Sequence, residues 1–230
     1  MSVINAEDKF PAATGLIWFD CEQGSDEWFE CRLGVPTASN FSKIVDTKGN
    51  SSRQALGYID QLIGEAITGE TYSSYKGDNA NYWLERGTEL EDEARNHYMG
   101  ITGADVEIKG FGFNQVLGAG CSPDGLIGDD GGLEIKCPSP AVHNRYLREN
   151  RVPPVYYQQV MGSLLVTGRQ WWDFFSYHPQ FKRQLIVRIE RNEEYLEKME
   201  LHITNAVSAI AVDVHKEKSS KRRKNIKPRS

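Results

Sequence analysis

Hydrophobic residues recur at helical spacing in several stretches of the chain. In residues 52–68 the apolar positions Leu56, Ile59 and Ile63 fall on one face, and Gly69 follows as a stop signal. The other predicted helices are a short one capped by Ser25, a second capped by Ser39, residues 80–99, residues 153–168, which open on two prolines, and a final helix capped by Asn192. Helices are therefore expected near both ends of the chain.

The remaining stretches with regular apolar patterning read as strands. These are residues 105–109 and 111–117, which alternate moderately between apolar and polar side chains, and residues 171–177 and 184–190, which contain β-branched or aromatic side chains. Between them, the run from 121 to 138 is divided by the turn sequence Gly-Asp-Asp-Gly-Gly at 128–132. We predict a mixed α/β fold with a mostly antiparallel sheet flanked by helices, and with one helix inserted before the last two strands.

The strand after this turn carries the candidate chemistry. Side chains along Leu133–Cys137 are expected to alternate between the core and the opposite face, which puts Glu134 and Lys136 together. If the turn is centred near residue 129, Asp124 lies opposite Glu134, with Cβ atoms about 4.5–5.5 Å apart. Two carboxylates so close repel each other unless a cation lies between them, and Mg²⁺ accepts such ligands while keeping positions for phosphate oxygens. Lys136 is then suited to orient or deprotonate a water, or to stabilise charge on a phosphate.

Composition indicates a folded protein with unevenly distributed charge. Of its 230 residues, 39% are hydrophobic and 26% charged, which suits one α/β domain, expected at residues 1–215. The net charge is −5, but residues 216–230 carry about +7 and the rest about −12. An acidic body argues against a general nucleic-acid coat protein. The basic tail at 216–230 is predicted to be disordered, either as a solvated segment or as a tether for phosphates.

Cysteine usage and hydropathy favour a reducing compartment. The four cysteines do not form a disulfide framework in a chain of this length, and no apolar run is long enough for a membrane span. The N-terminal segment lacks the pattern of a secretory signal. A cytoplasmic protein is therefore expected.

Four motifs accompany the carboxylate pair. They are Cys-Arg-Leu-Gly-Val-Pro-Thr-Ala-Ser at 31–39, Ser-Pro-Asp-Gly-Leu at 122–126, Gly-Leu-Glu-Ile-Lys-Cys-Pro at 132–138 and Tyr-Tyr-Gln-Gln-Val at 156–160. The Pro-Asp, Glu-x-Lys spacing resembles the PD-(D/E)xK nuclease motif. The set as a whole, from about residue 18 to about 200, resembles the YqaJ viral recombinase family, which includes lambda exonuclease.

This resemblance implies a fold and an activity. The expected fold has a restriction-endonuclease-like core. The expected activity is degradation of linear double-stranded DNA from 5′ ends, releasing mononucleotides and leaving 3′ single-stranded overhangs. The resemblance also implies Mg²⁺, replaceable by Mn²⁺, with two ions per site, a homotrimeric ring around DNA, and a phage single-strand annealing protein as partner. A phage or prophage gene acting in a bacterial host is the expected source.

The resemblance further assigns roles by position in the motifs. Asp124, Glu134 and the backbone carbonyl of Ile135 match a first metal site, and Lys136 matches the catalytic lysine. The remaining matches are Glu91, which supports a second metal ion, Gln159 with Tyr156 in a supporting motif, and Arg32, Thr37, Ser39 and Ser122 in the pocket for the 5′-phosphate. Two ions and Lys136 would then hydrolyse the phosphodiester by in-line attack of water.

Other interpretations of the same residues remain open. A restriction-like endonuclease shares the expected core, and a module that only binds DNA ends could keep it without catalysis. The Asp-Gly pair and Glu-x-Lys could also be an ordinary turn and a solvated strand face. The basic segment from His143 to Arg151 could touch the DNA backbone or form a solvated loop.

Overall fold

Two sheets and seven helical segments make up the computed structural model, which describes residues 15–71 and 78–224, with side chains outside 78–88 and 220–224. The helices are α1 (Asp26–Arg32), a 3₁₀ helix (Ala38–Lys43), α2 (Ala55–Thr68), α3 (Asp78–Thr102), α4 (Pro140–Glu149), α5 (Pro154–Thr167) and α6 (Glu193–Lys224). The strands are β1 (Leu16–Phe19), β2 (Val106–Glu107), β3 (Phe111–Asn114), β4 (Ala119–Cys121), β5 (Gly125–Ile127), β6 (Gly131–Lys136), β7 (Trp171–Ser176) and β8 (Leu185–Glu190). The predicted mixed α/β class is confirmed.

The larger sheet has five strands in the order β2-β5-β6-β7-β8. All neighbours are antiparallel except β6 and β7, which run parallel with Lys136 beside Ser176. A parallel pair needs a crossover connection, and α4 and α5 provide it. The prediction of a single helix at this point was wrong, because α4 also forms there.

Helix α4 replaces the solvated loop considered for residues 143–151. Pro140 stands in its first turn, and Asn150 ends it in a left-handed conformation with a φ of 47°. His143 and Tyr146, one turn apart, are both buried. The segment is therefore an amphipathic helix whose outer face is basic.

A second sheet, ordered β1-β3-β4, lies beside the 3₁₀ helix and α5. Neither β1 nor β4 was predicted, because three or four residues show too little alternation to recognise. Residues 115–117, expected to continue a strand, instead belong to the connection between β3 and β4. Asn114 Oδ1 accepts hydrogen bonds from the backbone N–H groups of Val116 and Leu117 there.

Two apolar clusters cover the two faces of the five-stranded sheet. One contains Leu133 and Ile135 of β6 together with Ala94 and Tyr98 of α3. The other joins Leu126 and Trp172 to α2, α5 and α6. The alternation predicted for β6 is therefore confirmed, since its apolar side chains face α3 and Glu134 faces the opposite layer.

Two helix ends differ from prediction. Ser25 caps α1 as expected, accepting from the N–H of Trp28 at 3.2 Å. Thr37, not Ser39, stands before the 3₁₀ helix, so Ser39 lies inside that helix. The last helix continues to Lys224, so residues 216–224 are helical where disorder was predicted. Lys, Arg and Glu are good helix formers and extend a helix that is already nucleated.

None of the helices in the described ranges has the length and apolarity needed to span a membrane.

Candidate active site

The hairpin of β5 and β6 brings Asp124 and Glu134 together. Gly125 pairs with Leu133 in this hairpin, so the next pair outward is Asp124 opposite Glu134. Asp124 also bends over the strand, because its Oδ2 accepts a hydrogen bond of 2.6 Å from the backbone N–H of Ile135. The opposition expected from the turn sequence is present in the structure.

Both carboxyl groups are almost fully buried. The exposed fraction is 8% for Asp124 and 1% for Glu134. Desolvation raises the pKa of both, and for Glu134 the nearby Asp124 adds to the rise, to about 7. Buried acids that repel each other bind a cation readily, because it stabilises their charged forms.

Lys136 forms an ion pair with Glu134, and the amine also lies 5.3 Å from the centre of the Tyr156 ring. Desolvation alone would lower its pKa, but the Glu134 and Asp124 carboxylates outweigh it and raise the pKa above the ordinary value. Lys136 is thus a stable ammonium ion in this arrangement. Gln159 of α5 also donates a hydrogen bond from Nε2 to Glu134 Oε1 at 2.6 Å.

Glu91 reaches the site from α3. Burial raises its pKa to about 7, and Asp124 is the next largest cause. Its Oε1 accepts a hydrogen bond of 2.6 Å from Arg95, which is one helical turn further along and only 6% exposed. Arg95 also donates from Nε to the backbone oxygen of Asp124 at 2.9 Å and from Nη1 to Asp92 at 2.5 Å. Sequence reasoning missed Arg95, although its i, i+4 spacing from Glu91 is a signal for such a pair.

The donor set fits a hard divalent cation. Among the described side chains, at residues 15–71 and 89–219, no three His, Cys, Asp or Glu side chains converge as a ready-made ligand set. Two carboxylates with a backbone carbonyl from Ile135 nevertheless match Mg²⁺, which takes one or two protein carboxylates and keeps waters. Among the described side chains, Lys136 and Arg95 are the cations that lower the pKa of these three carboxyl groups, so the site retains room for positive charge.

A second cluster surrounds Arg32. Its guanidinium lies within hydrogen-bond distance of Ser122 Oγ at 3.2 Å, Thr37 Oγ1 at 3.3 Å and Ser39 Oγ at 3.4 Å, and stacks 3.9 Å from the Trp28 ring. Desolvation lowers its pKa to about 10, which leaves it charged at neutral pH. The structure therefore assembles all four residues predicted for the 5′-phosphate. A planar cation ringed by hydroxyl groups is suited to a phosphate.

The two clusters adjoin each other through the chain. Ser122 of the Arg32 cluster is only two residues before Asp124, in the connection between β4 and β5. Arg32 and Thr37 also line a cavity of about 540 Å³ that extends toward α2. The two clusters are therefore linked by the short segment from Ser122 to Asp124. Trp28, which donates to Ser122 Oγ at 2.8 Å, was not among the predicted site residues.

The fold is shared with alkaline exonucleases. The crystal structure of an alkaline exonuclease from Laribacter hongkongensis superimposes with a TM-score of 0.74 at 31% identity, covering 86% of this chain and 99% of that one. Its complex with dAMP gives a TM-score of 0.72 over the same shares at 31% identity. A phage-related exonuclease from Haemophilus somnus 129PT shares the fold at 14% identity, with a TM-score of 0.61 over 80% of this chain and 96% of that one.

Residues 27–170 match the family model described as YqaJ-like viral recombinase domain. The chain belongs to this family, as its motifs indicated. None of the curated proteins compared with the chain matches it significantly.

Proposed function

We propose that this protein is a Mg²⁺-dependent 5′→3′ exonuclease that degrades one strand of linear double-stranded DNA and leaves 3′ overhangs. The observation that carries the proposal is the meeting of the buried carboxylate pair Asp124 and Glu134 with Lys136, in a chain whose Ser122, two residues before Asp124, belongs to the Arg32 cluster. Membership of a viral recombinase family and the alkaline exonuclease fold support it.

In this proposal Asp124, Glu134 and the carbonyl of Ile135 hold the first metal ion, and Glu91 supports a second. When bound, such an ion supplies Lewis-acid chemistry, which lowers the pKa of water and offsets charge on the phosphate. Mn²⁺ would substitute because it accepts the same oxygen ligands.

Lys136 would act on the attacking water or on the phosphate in the proposed reaction. Its amine pairs with Glu134, and it would orient or deprotonate a water, or stabilise charge on the scissile phosphate. Gln159 and Tyr156 fix the positions of Glu134 and Lys136 respectively.

Arg32, Thr37, Ser39 and Ser122 would receive the terminal 5′-phosphate. Their hydrogen-bonding groups already converge, so little ordering is needed on binding. Holding the end phosphate next to Asp124 sets both the strand polarity and the position of the cleaved bond.

The test compares linear duplexes bearing 5′-phosphate or 5′-hydroxyl ends with closed circular DNA, each with and without Mg²⁺. We expect digestion of the linear 5′-phosphate substrate only with metal, release of mononucleotides, and intact circles. Asp124→Asn should abolish cleavage and retain DNA binding. Arg32→Gln should remove the preference for 5′-phosphate, because the hydroxyl groups alone carry no charge to pair with it.

Several outcomes would contradict the proposal. Cleavage of circular DNA would indicate an endonuclease. Binding of DNA ends by the wild-type chain without digestion would indicate a non-catalytic module. Normal digestion by Asp124→Asn would remove the assigned site.

The resemblance also leads us to propose the setting of this activity. We propose a homotrimeric ring around DNA, a phage single-strand annealing protein as partner, and a phage or prophage gene acting in the bacterial cytoplasm. The name of the family, a viral recombinase domain, supports this setting.

A further inference from the structure

A shallow groove of about 550 Å³ runs between α4 and the connection from β7 to β8. Its walls are formed by Asn144, Leu147, Arg148, Phe181, Lys182 and Arg183. Leu147 and Phe181 are partly buried and supply an apolar floor, whereas the other four side chains are exposed. We call these six residues the basic groove.

The basic groove is a local concentration of positive charge on an acidic protein. Residues 1–215 carry about −12 in total, yet no Asp or Glu lines the groove. None of the ion pairs in the described part of the chain includes Arg148, Lys182 or Arg183. The charge is thus available to an anionic ligand, which such a patch attracts.

The groove wall after β7 is held in place by buried groups. His143 is fully buried, with Nδ1 at 2.8 Å from Ser176 Oγ and Nε2 at 3.1 Å from the backbone oxygen of Arg183. Gln184 donates to the backbone oxygens of His178 at 3.1 Å and Phe181 at 2.8 Å. The cations therefore stand on a preorganised backbone.

Two short chains of contacts connect the groove to the catalytic strand. Ser176, the hydrogen-bond partner of His143, lies beside Lys136 across the parallel strands. Tyr146 on the buried face of α4 packs edge-on against Tyr156, whose ring lies under the Lys136 amine. These contacts place α4 and the end of β7 beside the C-terminal end of β6.

We propose that the basic groove binds the single-stranded DNA that digestion leaves behind, an inference that rests on the proposed function. Single strands are held by cations that follow the phosphates and by apolar or aromatic side chains that contact unpaired bases. The groove offers three cations above Leu147 and Phe181. A duplex keeps its bases stacked inside and would not reach such a floor, so one unpaired strand is the better match.

The test measures equilibrium binding of an oligo(dT) single strand and of a blunt duplex in EDTA, in an Asp124→Asn background. The test variant combines Arg148→Gln, Lys182→Gln and Arg183→Gln. We expect it to bind oligo(dT) about tenfold more weakly, and the slope of log K against log salt to fall by about 2, since each phosphate contact contributes about 0.7 on single strands. Duplex binding should change little.

A matched control combines Lys109→Gln, Lys198→Gln and Lys216→Gln, which removes the same charge from surface ion pairs elsewhere. Equal weakening in the control would mean that only net charge matters and would overturn the proposal. Unchanged oligo(dT) binding by the test variant, or an equal loss on duplex, would also overturn it. Thermal unfolding checks that both variants fold.

These outcomes are separable from failure of the proposed function. Binding in EDTA does not require cleavage, and digestion of linear DNA by the wild-type chain is measured apart. If wild type does not digest DNA but the groove variant still loses oligo(dT) binding, the groove assignment stands alone.

Discussion

Glu134 illustrates how a functional side chain can oppose the stability of the metal-free protein. It is 1% exposed and shares one ammonium group with Asp124. Ionising a buried acid next to another acid costs free energy, which a bound cation would offset. The folded protein would therefore be more stable with a cation bound between these carboxyl groups than without one.

This cost predicts a pH dependence in EDTA. Burial raises the folded pKa of Glu134 from 4.5 to about 7, so its contribution to stability is complete below pH 4.5 and is lost as the pH rises through 7. Glu134→Gln should therefore lose less stability than wild type between pH 5 and pH 8, by about 1–3 kcal/mol. Urea unfolding at both pH values measures this, with exposed Glu107→Gln as the control. Parallel pH curves for wild type and Glu134→Gln would refute the assignment.

Arg95 is expected to position the site without touching substrate. Its one guanidinium joins Glu91 on α3 to the backbone of Asp124. Lysine keeps the charge but has no planar fork with which to reach both partners. Arg95→Lys should lower kcat by about tenfold or more and raise the Mg²⁺ concentration needed for half-maximal digestion and for thermal stabilisation.

Asp92→Asn is the matched control for Arg95, because the Asp92 side chain is 88% exposed and its pair is worth little. It should leave the metal dependence unchanged. If Arg95→Lys also keeps the wild-type metal dependence, Arg95 is only a structural residue.

At the scale of elements, the hairpin of β5 and β6 was predictable from sequence and α4 was not. The turn-forming residues at 128–132 indicate a turn centred near residue 129, so the pairing of Asp124 with Glu134 follows from counting. In the structure the turn is confined to residues 128–130, and Gly131 and Gly132 already pair with Ile127 and Leu126. Helix α4 has only two buried side chains in one turn, His143 and Tyr146, and is rich in polar residues. Its short apolar stripe resembles a loop until the partners, Ser176 and Phe174, are known.

The residues of the candidate site likewise include some that spacing along the sequence identifies and some that it does not. Asp124, Glu134 and Lys136 lie close in sequence and were found by spacing. Arg32 and Ser122 are ninety positions apart, and only the family motifs placed them together. Arg95 contacts the backbone of Asp124, a partner that no side-chain pattern reveals.

The parallel pairing of β6 and β7 imposes a requirement for glycine. A Cβ added at Gly132 would overlap the ring of Trp172 on β7. Gly132→Ala should destabilise the protein by about 1–3 kcal/mol, because the crowded strands must move apart. Gly57→Ala, in helix α2 with open space around it, should instead stabilise by about 0.5–1 kcal/mol. Urea unfolding of both variants measures the difference, and a neutral Gly132→Ala would contradict the close packing.

At the scale of the whole molecule, the fold class and the family could be predicted from sequence, but the division into two sheets could not. The long α6 spans the predicted boundary at residue 215, where a change in charge is not accompanied by a break in helical propensity. Residues 225–230 of the predicted tail lie outside the described residues. The role of the tail as a phosphate tether stays a prediction.

The proposed ring predicts a property of the assembled molecule. Light scattering should give a mass three times the 26.0 kDa of the chain, and digestion should continue on one molecule of DNA after a trap of competing DNA is added. A closed ring cannot leave its substrate sideways, so processivity and trimer formation should be lost together on dilution. A monomer that remains processive would exclude the ring.

The contact between Trp172 and Gly132 also places a fluorescent side chain against β6. This indole is fully buried, and its N–H finds no hydrogen-bond partner among the described residues. Such a side chain emits light at shorter wavelength than one in water. Trp28, which donates a hydrogen bond to Ser122, lies in the Arg32 cluster. The two tryptophans would therefore report by fluorescence on the two parts of the proposed site, Trp172 against β6 and Trp28 beside the residues proposed to receive the 5′-phosphate.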